Sequence, residues 1–250
     1  MNLSQIKTYV RNSLELITEP ALKVIPVLKV PKSLAWLHRL NVPSNIQGNP
    51  TEAPTGGSNI NIILHLTKLT TNLSGAWAEC GVYKGGTLIT TALWMKSTGV
   101  QKKIWGFDSF EGLPEKSSID ENHSTEKAWG HHSGGYKGVS YTHLLQKLSR
   151  LGLSNDVELV PGFFENSLPK AAGEKFSFVH LDCDLYNSYK TCLEFFYERM
   201  VQGGVILFDE YNDPPWPGCN KAIDEFFANK IEKLQKIVRD NQIKYYIVKN

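Results

Sequence analysis

Apolar residues along this chain come in two rhythms that alternate. Runs of five or six mostly apolar residues, at 76–80, 103–108, 157–161, 176–181 and 204–208, are bounded by Gly, Pro or polar residues and read as strands. Between them apolar positions recur every three or four residues, at 59–69, 87–96, 141–151, 188–200 and 221–229, which predicts helices. Near-continuous apolar strands flanked by helices belong to sheets covered on both faces. The last twenty residues break the pattern, because 234–238 and 243–248 flank a turn at 239–242 and read as a hairpin. The expected fold is α/β: a doubly wound, mostly parallel seven-stranded sheet, Rossmann-like, with an antiparallel C-terminal hairpin.

The first fifty-eight residues stand apart. Ile6, Tyr9, Val10, Leu14 and Ile17 have helical spacing, prolines follow at 20, 26, 31 and 43, and residues 45–58 read as a loop. This predicts a helical and loop extension over 1–58, on the oligomer or substrate side of a main domain over 59–250. Residues 111–138 form a long polar stretch containing His123, Trp129, His131 and His132, the kind of segment that serves as a lid. Tyr211 and Trp216 are expected on the opposite wall.

Composition narrows the function classes. A net charge of +2 with no basic run argues against nucleic acid or an anionic membrane as partner. Four cysteines without a CxxC pair or zinc-finger spacing read as free thiols. No signal peptide is recognisable, and the apolar patch at 21–30 is too short and too charged to span a bilayer. The expectation is a soluble, cytoplasmic protein without membrane insertion, and homo-oligomerisation through the extension is possible on this reading.

The candidate chemistry gathers where strands end. Phe176 to Leu181 reads as a buried central strand running into Asp182 and Asp184, two acids one residue apart. In open α/β sheets ligands sit outside the carboxyl ends of the strands, and side chains at i and i+2 share a face. The first strand ends at Glu79 and continues into a turn with Gly81, Tyr83, Gly85, Gly86 and Thr87. A dinucleotide fingerprint would need glycine at position 83, and a P-loop would need a Lys-Ser/Thr pair after the glycines. Glu-x-Gly-x-x-x-Gly-Gly resembles instead the first motif of class I S-adenosylmethionine (SAM) methyltransferases, in which a carboxylate holds the methionine end of the cofactor. Asp108 ends the second strand, where a carboxylate suits a ribose diol, with Ser109 and Phe110 beside it and Phe110 placed to wall an adenine. Gly162 and Phe163 follow the third strand. A tight turn for the glycines and a turn cap for Asp108 are the plainer alternatives.

Taken in order, GAWAECGVYKGGT, GFDSFEGLP, VELVPGFFENSLP, FSFVHLDCDLYNSYKTCLEFFYERMVQGGVILFDEY and GCNKAIDEFF resemble the macrocin O-methyltransferase (TylF-type) family over about residues 60–230. The resemblance implies a SAM- and magnesium-dependent enzyme that methylates a hydroxyl, typically on a sugar moiety of a natural product or glycan. It implies that Asp182, Asp209 and Glu210 hold the metal, that Asp182 also borders the cofactor, and that Asp184 is the general base. Where the family carries Asp-Asp, this chain has Asp209-Glu210, so the third ligand reaches one methylene further, with Asp213 as a substitute. Two other readings stay open at this point: a metal-dependent D-x-D glycosyltransferase, and a non-catalytic SAM-binding protein.

Overall fold

The computed structural model describes residues 57–121, 133–239 and 242–250. The helical spacing read at 4–17, and nearly all of the 1–58 extension, lie outside these residues. Seven strands form one sheet: β1 (Ala76–Cys80), β2 (Ile104–Asp108), β3 (Val157–Pro161), β4 (Phe176–Leu181), β5 (Met200–Phe208), β6 (Gln235–Arg239) and β7 (Gln242–Val248). Their order is β3-β2-β1-β4-β5-β7-β6. The first five are mutually parallel, and β7 runs antiparallel to both β5 and β6. The helices are α1 (Gly57–Leu69), α2 (Gly86–Thr98), α3 (Tyr141–Arg150), the single turn α4 (Phe164–Ser167), α5 (Tyr186–Tyr197) and α6 (Pro217–Phe227).

The two faces of the sheet carry separate cores, as the strand period of two requires. Trp77, Phe178, Val205 and Leu207 join Ile63, Leu66, Leu88, Leu93 and Leu144 of α1, α2 and α3 on one face. Ala78, Cys80, Val179, Leu181, Ile206 and Phe208 pack with Tyr189, Leu193, Phe196, Ile223 and Phe227 of α5 and α6 on the other. Every residue of β1 and β4 is buried, as expected of central strands. A register shift between Phe176 and Phe178 moves the alternation within β4, so that Val179 and Leu181 share the Phe176 side while His180 faces the other core.

The sequence places β1, β3 and β4 at their observed bounds and misses others by a few residues. β5 starts at Met200 rather than 204, and α6 starts at Pro217 rather than 221. Pro217 suits the first helical turn, where a missing N–H costs nothing. α5 likewise begins at Tyr186, two residues before its expected start.

Candidate active site

The strand order reverses between β1 and β4, and a crevice opens at that switch point. A cavity of about 340 Å³ occupies it, within the usual size of small-molecule sites. Gly81, Tyr83, Asp108, Ser109, Gly162, Phe163, Asp182, Asp184, Asp209, Glu210, Asp213 and Trp216 all line it. Gly81 is irreplaceable in this geometry: its φ is +89°, and a Cβ there would lie 1.7 Å from the carbonyl oxygen of Asp182. That contact lets the ends of β1 and β4 close against each other.

Asp108 takes the turn-capping role weighed for it and also stands on the cavity wall. Its Oδ2 accepts the Tyr83 N–H at 2.7 Å and its Oδ1 accepts the Phe110 N–H at 2.7 Å, so it organises two turns. It also lines the cavity, where its lone pairs can accept from a ligand. Ser109 Oγ is spent on the same turn, donating to the Gly112 carbonyl at 2.7 Å. Phe110 does not go where the sequence puts it. At φ +57° its ring turns into the core, 9% exposed and edge-on to Tyr141, and it is absent from the cavity wall. Phe163 holds a place on that wall instead.

Glu79, Gly85, Gly86 and Thr87 also lie behind the wall. Gly85 is the left-handed residue before α2, and Gly86 opens that helix. Glu79 and Thr87 border a small pocket of about 10 Å³ on the α1/α2 side, together with His180. Glu79 Oε1 lies 3.3 Å from His180 Nδ1, while its Oε2 is buried with no hydrogen-bond partner among the described residues.

The acids after β4 converge, but by a route other than the strand pleat. β4 stops at Leu181, and the Leu185 N–H closes a three-residue turn on the Cys183 carbonyl at 2.6 Å. Asp184 is the central residue at φ +62°, a conformation that non-glycine residues adopt at a cost. The turn brings ligand atoms of Asp182, Asp184 and Glu210 within 4.8 Å of one another. A second such group is His180, Asp182 and Asp209. The trio expected from the sequence, Asp182 with Asp209 and Glu210, is not among the groups that converge.

Three residues the sequence reading missed explain this grouping. Lys244 Nζ sits 2.9 Å from Asp209 Oδ1 and donates to the Asp209 carbonyl at 2.6 Å. His180 Nε2 lies 3.4 Å from the same Oδ1. Tyr189 OH lies 2.5 Å from Glu210 Oε2 and 2.8 Å from the Leu181 carbonyl, two acceptors for its one proton. Signals for two of them exist in the sequence. A lysine stands inside the apolar run of β7, and a histidine stands inside the all-apolar run just before the acids.

Charge divides the cluster. Burial pushes the carboxyls of Asp182, Asp184 and Glu210 well up, and their negative neighbours add to it. Burial also acts on Asp209, but the Lys244 ammonium and His180 outweigh it and hold that carboxyl well below the usual range. Burial would lower His180, yet its bonds to Asp209 and Glu79 raise it to about 10. Asp209 is therefore an anion between two cations, whereas Asp182, Asp184 and Glu210 make no ion pair among the described residues, although the charge of His180 also acts on Asp182.

The expected lid is fixed at its base. Leu113 and Gly134–Gly135 exchange backbone bonds of 2.9 and 2.8 Å, and Gly112, Leu113, Pro114 and Tyr136 reach the cavity. Asp120 is buried and accepts the Tyr186 N–H at 2.8 Å. A Cβ at position 218 would lie 1.9 Å from its Oδ1, so glycine there lets the segment dock on α6. Tyr136 meets Trp216 with ring centroids 6.1 Å apart. Tyr211 turns away from the cavity, bonded to Asp224 and packed on Tyr245. His123, Trp129, His131 and His132 lie outside the described residues.

The model of the Macrocin-O-methyltransferase (TylF) family matches residues 63–246. The chain belongs to that family. Among curated relatives of this TylF-family protein, an 8-demethyl-8-(2,3-dimethoxy-alpha-L-rhamnosyl)-tetracenomycin-C 4'-O-methyltransferase of Streptomyces olivaceus is 31% identical over 163 residues, covering 64% of this chain and 60% of that protein. The match thus spans about 60% of that relative's length. A mycinamicin III 3''-O-methyltransferase of Micromonospora griseorubida is 28% identical over 186 residues, 71% of each chain. The solved O-methyltransferase NovP superposes with a TM-score of 0.68 at 21% identity, covering 99% of this chain and 98% of its own, and shows the same fold. The D-x-D acids therefore stand in a methyltransferase frame and not in the glycosyltransferase frame weighed above. Among the described residues no helix is long and apolar enough to cross a membrane.

Proposed function

We propose that this protein transfers a methyl group from SAM to a hydroxyl on a sugar moiety of a natural product or glycan, with a divalent cation, magnesium by donor chemistry, at the acid cluster. The observation that carries this reading is the convergence of Asp182, Asp184 and Glu210 at one end of a cavity whose wall also holds Gly81 and Asp108. The relatives' names support a glycosidic acceptor, since one names a rhamnosyl-bearing compound.

The residues fit both groups. For SAM, Asp108 offers acceptor oxygens at a ribose position, and Gly81 and Tyr83 bring main chain to the cavity. For the cation, Asp182 and Glu210, with Asp209 on the same cavity wall, would offer carboxylate oxygens, which are what magnesium prefers, and Asp184 is left for the proton. When bound, the cation would lower the pKa of an oxygen beside it by several units.

The chain's own contribution follows from magnitudes. An alkyl hydroxyl resembles water, with a pKa of about 15.7, against about 3.9 for an ordinary Asp. Full transfer between them is uphill by about 12 units, or about 16 kcal/mol. Two features narrow that gap at Asp184: burial raises its proton affinity, and the strained turn fixes its carboxyl toward the cavity. Asp184 takes the acceptor's proton as the acceptor oxygen attacks the methyl carbon, while the methyl–sulfur bond breaks with its electron pair going to sulfur and S-adenosylhomocysteine leaves. Tyr136 and Trp216 wall the acceptor side, with Gly112, Leu113 and Pro114 beside them. Water exclusion and in-line alignment by these walls supply much of the rest.

The test is formation of S-adenosylhomocysteine from SAM with a panel of glycosylated natural products, with and without EDTA. A loss of at least tenfold with EDTA, restored by magnesium, is expected. Equal rates would remove the cation from the mechanism.

A further inference from the structure

We infer that Asn59 and Gln242 form the part of the cavity that selects the acceptor, by hydrogen bonds to a second free hydroxyl of the acceptor sugar. The inference rests on the reading above, because it names what recognises the substrate at that same site. Three observations carry it. First, the cavity wall extends past the acids. Asn59 of α1 and Gln242 of β7 both line it, as does Lys244. In the sheet, β4 and β5 with their acids stand between β1 and β7. At about 4.8 Å per strand, β7 lies about 14 Å from β1 and further still from the ribose position at Asp108. The two carboxamides thus belong to the end of the cavity beyond the acids, away from the cofactor end. Second, they come together on one side. Tyr246 and Val248 of β7 pack into the Trp77 core, and the strand period puts Gln242 and Lys244 on that same side. α1 covers that side and packs on β4, β5, β6 and β7. Third, neither carboxamide is committed elsewhere. Asn59 Oδ1 is buried with no hydrogen-bond partner among the described residues, and Gln242 is exposed where it meets the cavity. Lys244, by contrast, is spent on Asp209.

The chemistry of the pair suits a sugar. A carboxamide offers two N–H donors and a carbonyl acceptor, so it answers a hydroxyl in either direction without adding charge. The last torsion of an asparagine is broad, and no bond among the described residues holds the Asn59 oxygen in place. A buried acceptor without a partner is costly, so a ligand hydroxyl that donates to it relieves a cost already present in the free protein. On the opposite side of the sheet Trp216 belongs to the Val179 core, with Tyr136 against it, and both rings reach the cavity. Aromatic rings on one side and a few placed polar groups on the other match a ring with an apolar face and a rim of hydroxyls. A position that is deoxygenated or alkylated has no proton to donate to Asn59. The enzyme therefore acts while that second position is still a free hydroxyl, ahead of any reaction that alkylates or removes it.

The experiment uses the full-length protein with p-nitrophenyl α-L-rhamnopyranoside and p-nitrophenyl β-D-glucopyranoside, together with the monodeoxy analogues of each. Formation of S-adenosylhomocysteine gives KM and kcat, and calorimetry gives the affinity for S-adenosylhomocysteine itself. With the wild type, removal of one hydroxyl other than the methylated one should lower kcat/KM about tenfold or more. Asn59→Ala should raise KM for the parent glycoside by about tenfold, with kcat within about threefold and S-adenosylhomocysteine affinity within about twofold. On the analogue that lacks the recognised hydroxyl, the same variant should change KM by less than about twofold, because the partner is already gone. Gln242→Ala, at an exposed position, should raise KM for the parent by about threefold and also lose its effect on that analogue, so it decides the matter if Asn59→Ala does not fold. Equal losses on parent and analogue, or an unchanged parent KM in both variants, overturn the inference while leaving methyl transfer to a sugar intact. A loss of S-adenosylhomocysteine affinity of about fivefold or more in Asn59→Ala also overturns it, since that assigns Asn59 to the cofactor. Wild-type protein that binds S-adenosylhomocysteine but methylates neither glycoside overturns both the inference and the sugar acceptor of the proposed function.

Discussion

Glu210 and Glu232 are buried to the same degree, 3% and 2% exposed, yet they sit at opposite edges of the sheet in opposite company. Glu232 lies beside the amino end of β5, where Lys249 Nζ donates to Oε1 at 3.1 Å, the Asn250 N–H donates to the same oxygen at 3.3 Å, and Tyr197 OH donates to Oε2 at 2.8 Å. Lys249 also stands over the Tyr197 ring at 4.2 Å. Glu210 lies at the carboxyl edge and has one neutral donor, Tyr189, with three further acids around it. A buried carboxylate is stable only when donors and countercharge answer it. Glu232 is answered by the chain and is architecture. The acids around Glu210 are left for something that arrives, and that is the signature of a site.

The sharpest way to break this contrast is at Asp184. Asp184→Asn keeps shape and removes the acceptor of the proton. Methyl transfer should fall by about 10²–10⁴-fold, the usual weight of a general base, while S-adenosylhomocysteine affinity stays near wild type. Turnover at the wild-type rate would exclude Asp184 as the base. Next in size is Glu232→Gln, which weakens two charge-assisted bonds at once. It should cost about 1–2 kcal/mol of unfolding free energy, read from urea melts, with turnover unchanged. A neutral result there would mean that Glu232 is not the anchor its partners suggest.

Smaller, and opposite in sign, is Asp182→Asn. In EDTA it removes one of several close carboxylates, so the protein should gain about 0.5–1 kcal/mol even as it loses activity. Destabilisation would show that Asp182 has a structural duty like that of Glu232. The two variants moving stability in opposite directions is the outcome that separates a held-open site from a finished one.

The same division explains what the sequence makes legible. β1, β3 and β4 are buried runs bounded by turn residues, and for them local pattern and tertiary burial agree, so their limits are readable. β5 is not, because Gln202, Gly203 and Gly204 interrupt its apolar run and its first residues are set by pairing with β4 at Phe176 and Met200. The acids of the site are readable because they follow strands directly. Lys244 and His180 are not, since a charged residue inside an apolar run declares its purpose only once the neighbouring strand supplies a partner. β7 is antiparallel to β5, which brings Lys244 back to Asp209 from thirty-five residues away in sequence. Phe110 fails for a different reason: the positive φ at that residue reverses the direction its ring takes, and spacing alone does not show a left-handed turn.

The finest test of the comparison is pH. Burial alone would raise the Glu232 carboxyl, but its own backbone N–H, the Tyr197 hydroxyl and Lys249 outweigh burial and hold it at about 2, against 4.5 for a free glutamate. A depressed folded-state value means that the unfolded chain takes up the proton first as pH falls. The stability Glu232 contributes is therefore fully present above about pH 5 and is lost between about pH 4.5 and 2. The gap in urea midpoint between wild type and Glu232→Gln should accordingly be constant from neutral pH down to about pH 5.5 and then narrow steadily toward pH 3. Because the cavity acids are the same in both proteins, their own protonation cancels from the difference. A gap that stays constant down to pH 3 would mean that the carboxylate's charge is not what its partners hold, and the distinction drawn between the two glutamates would lose its electrostatic basis.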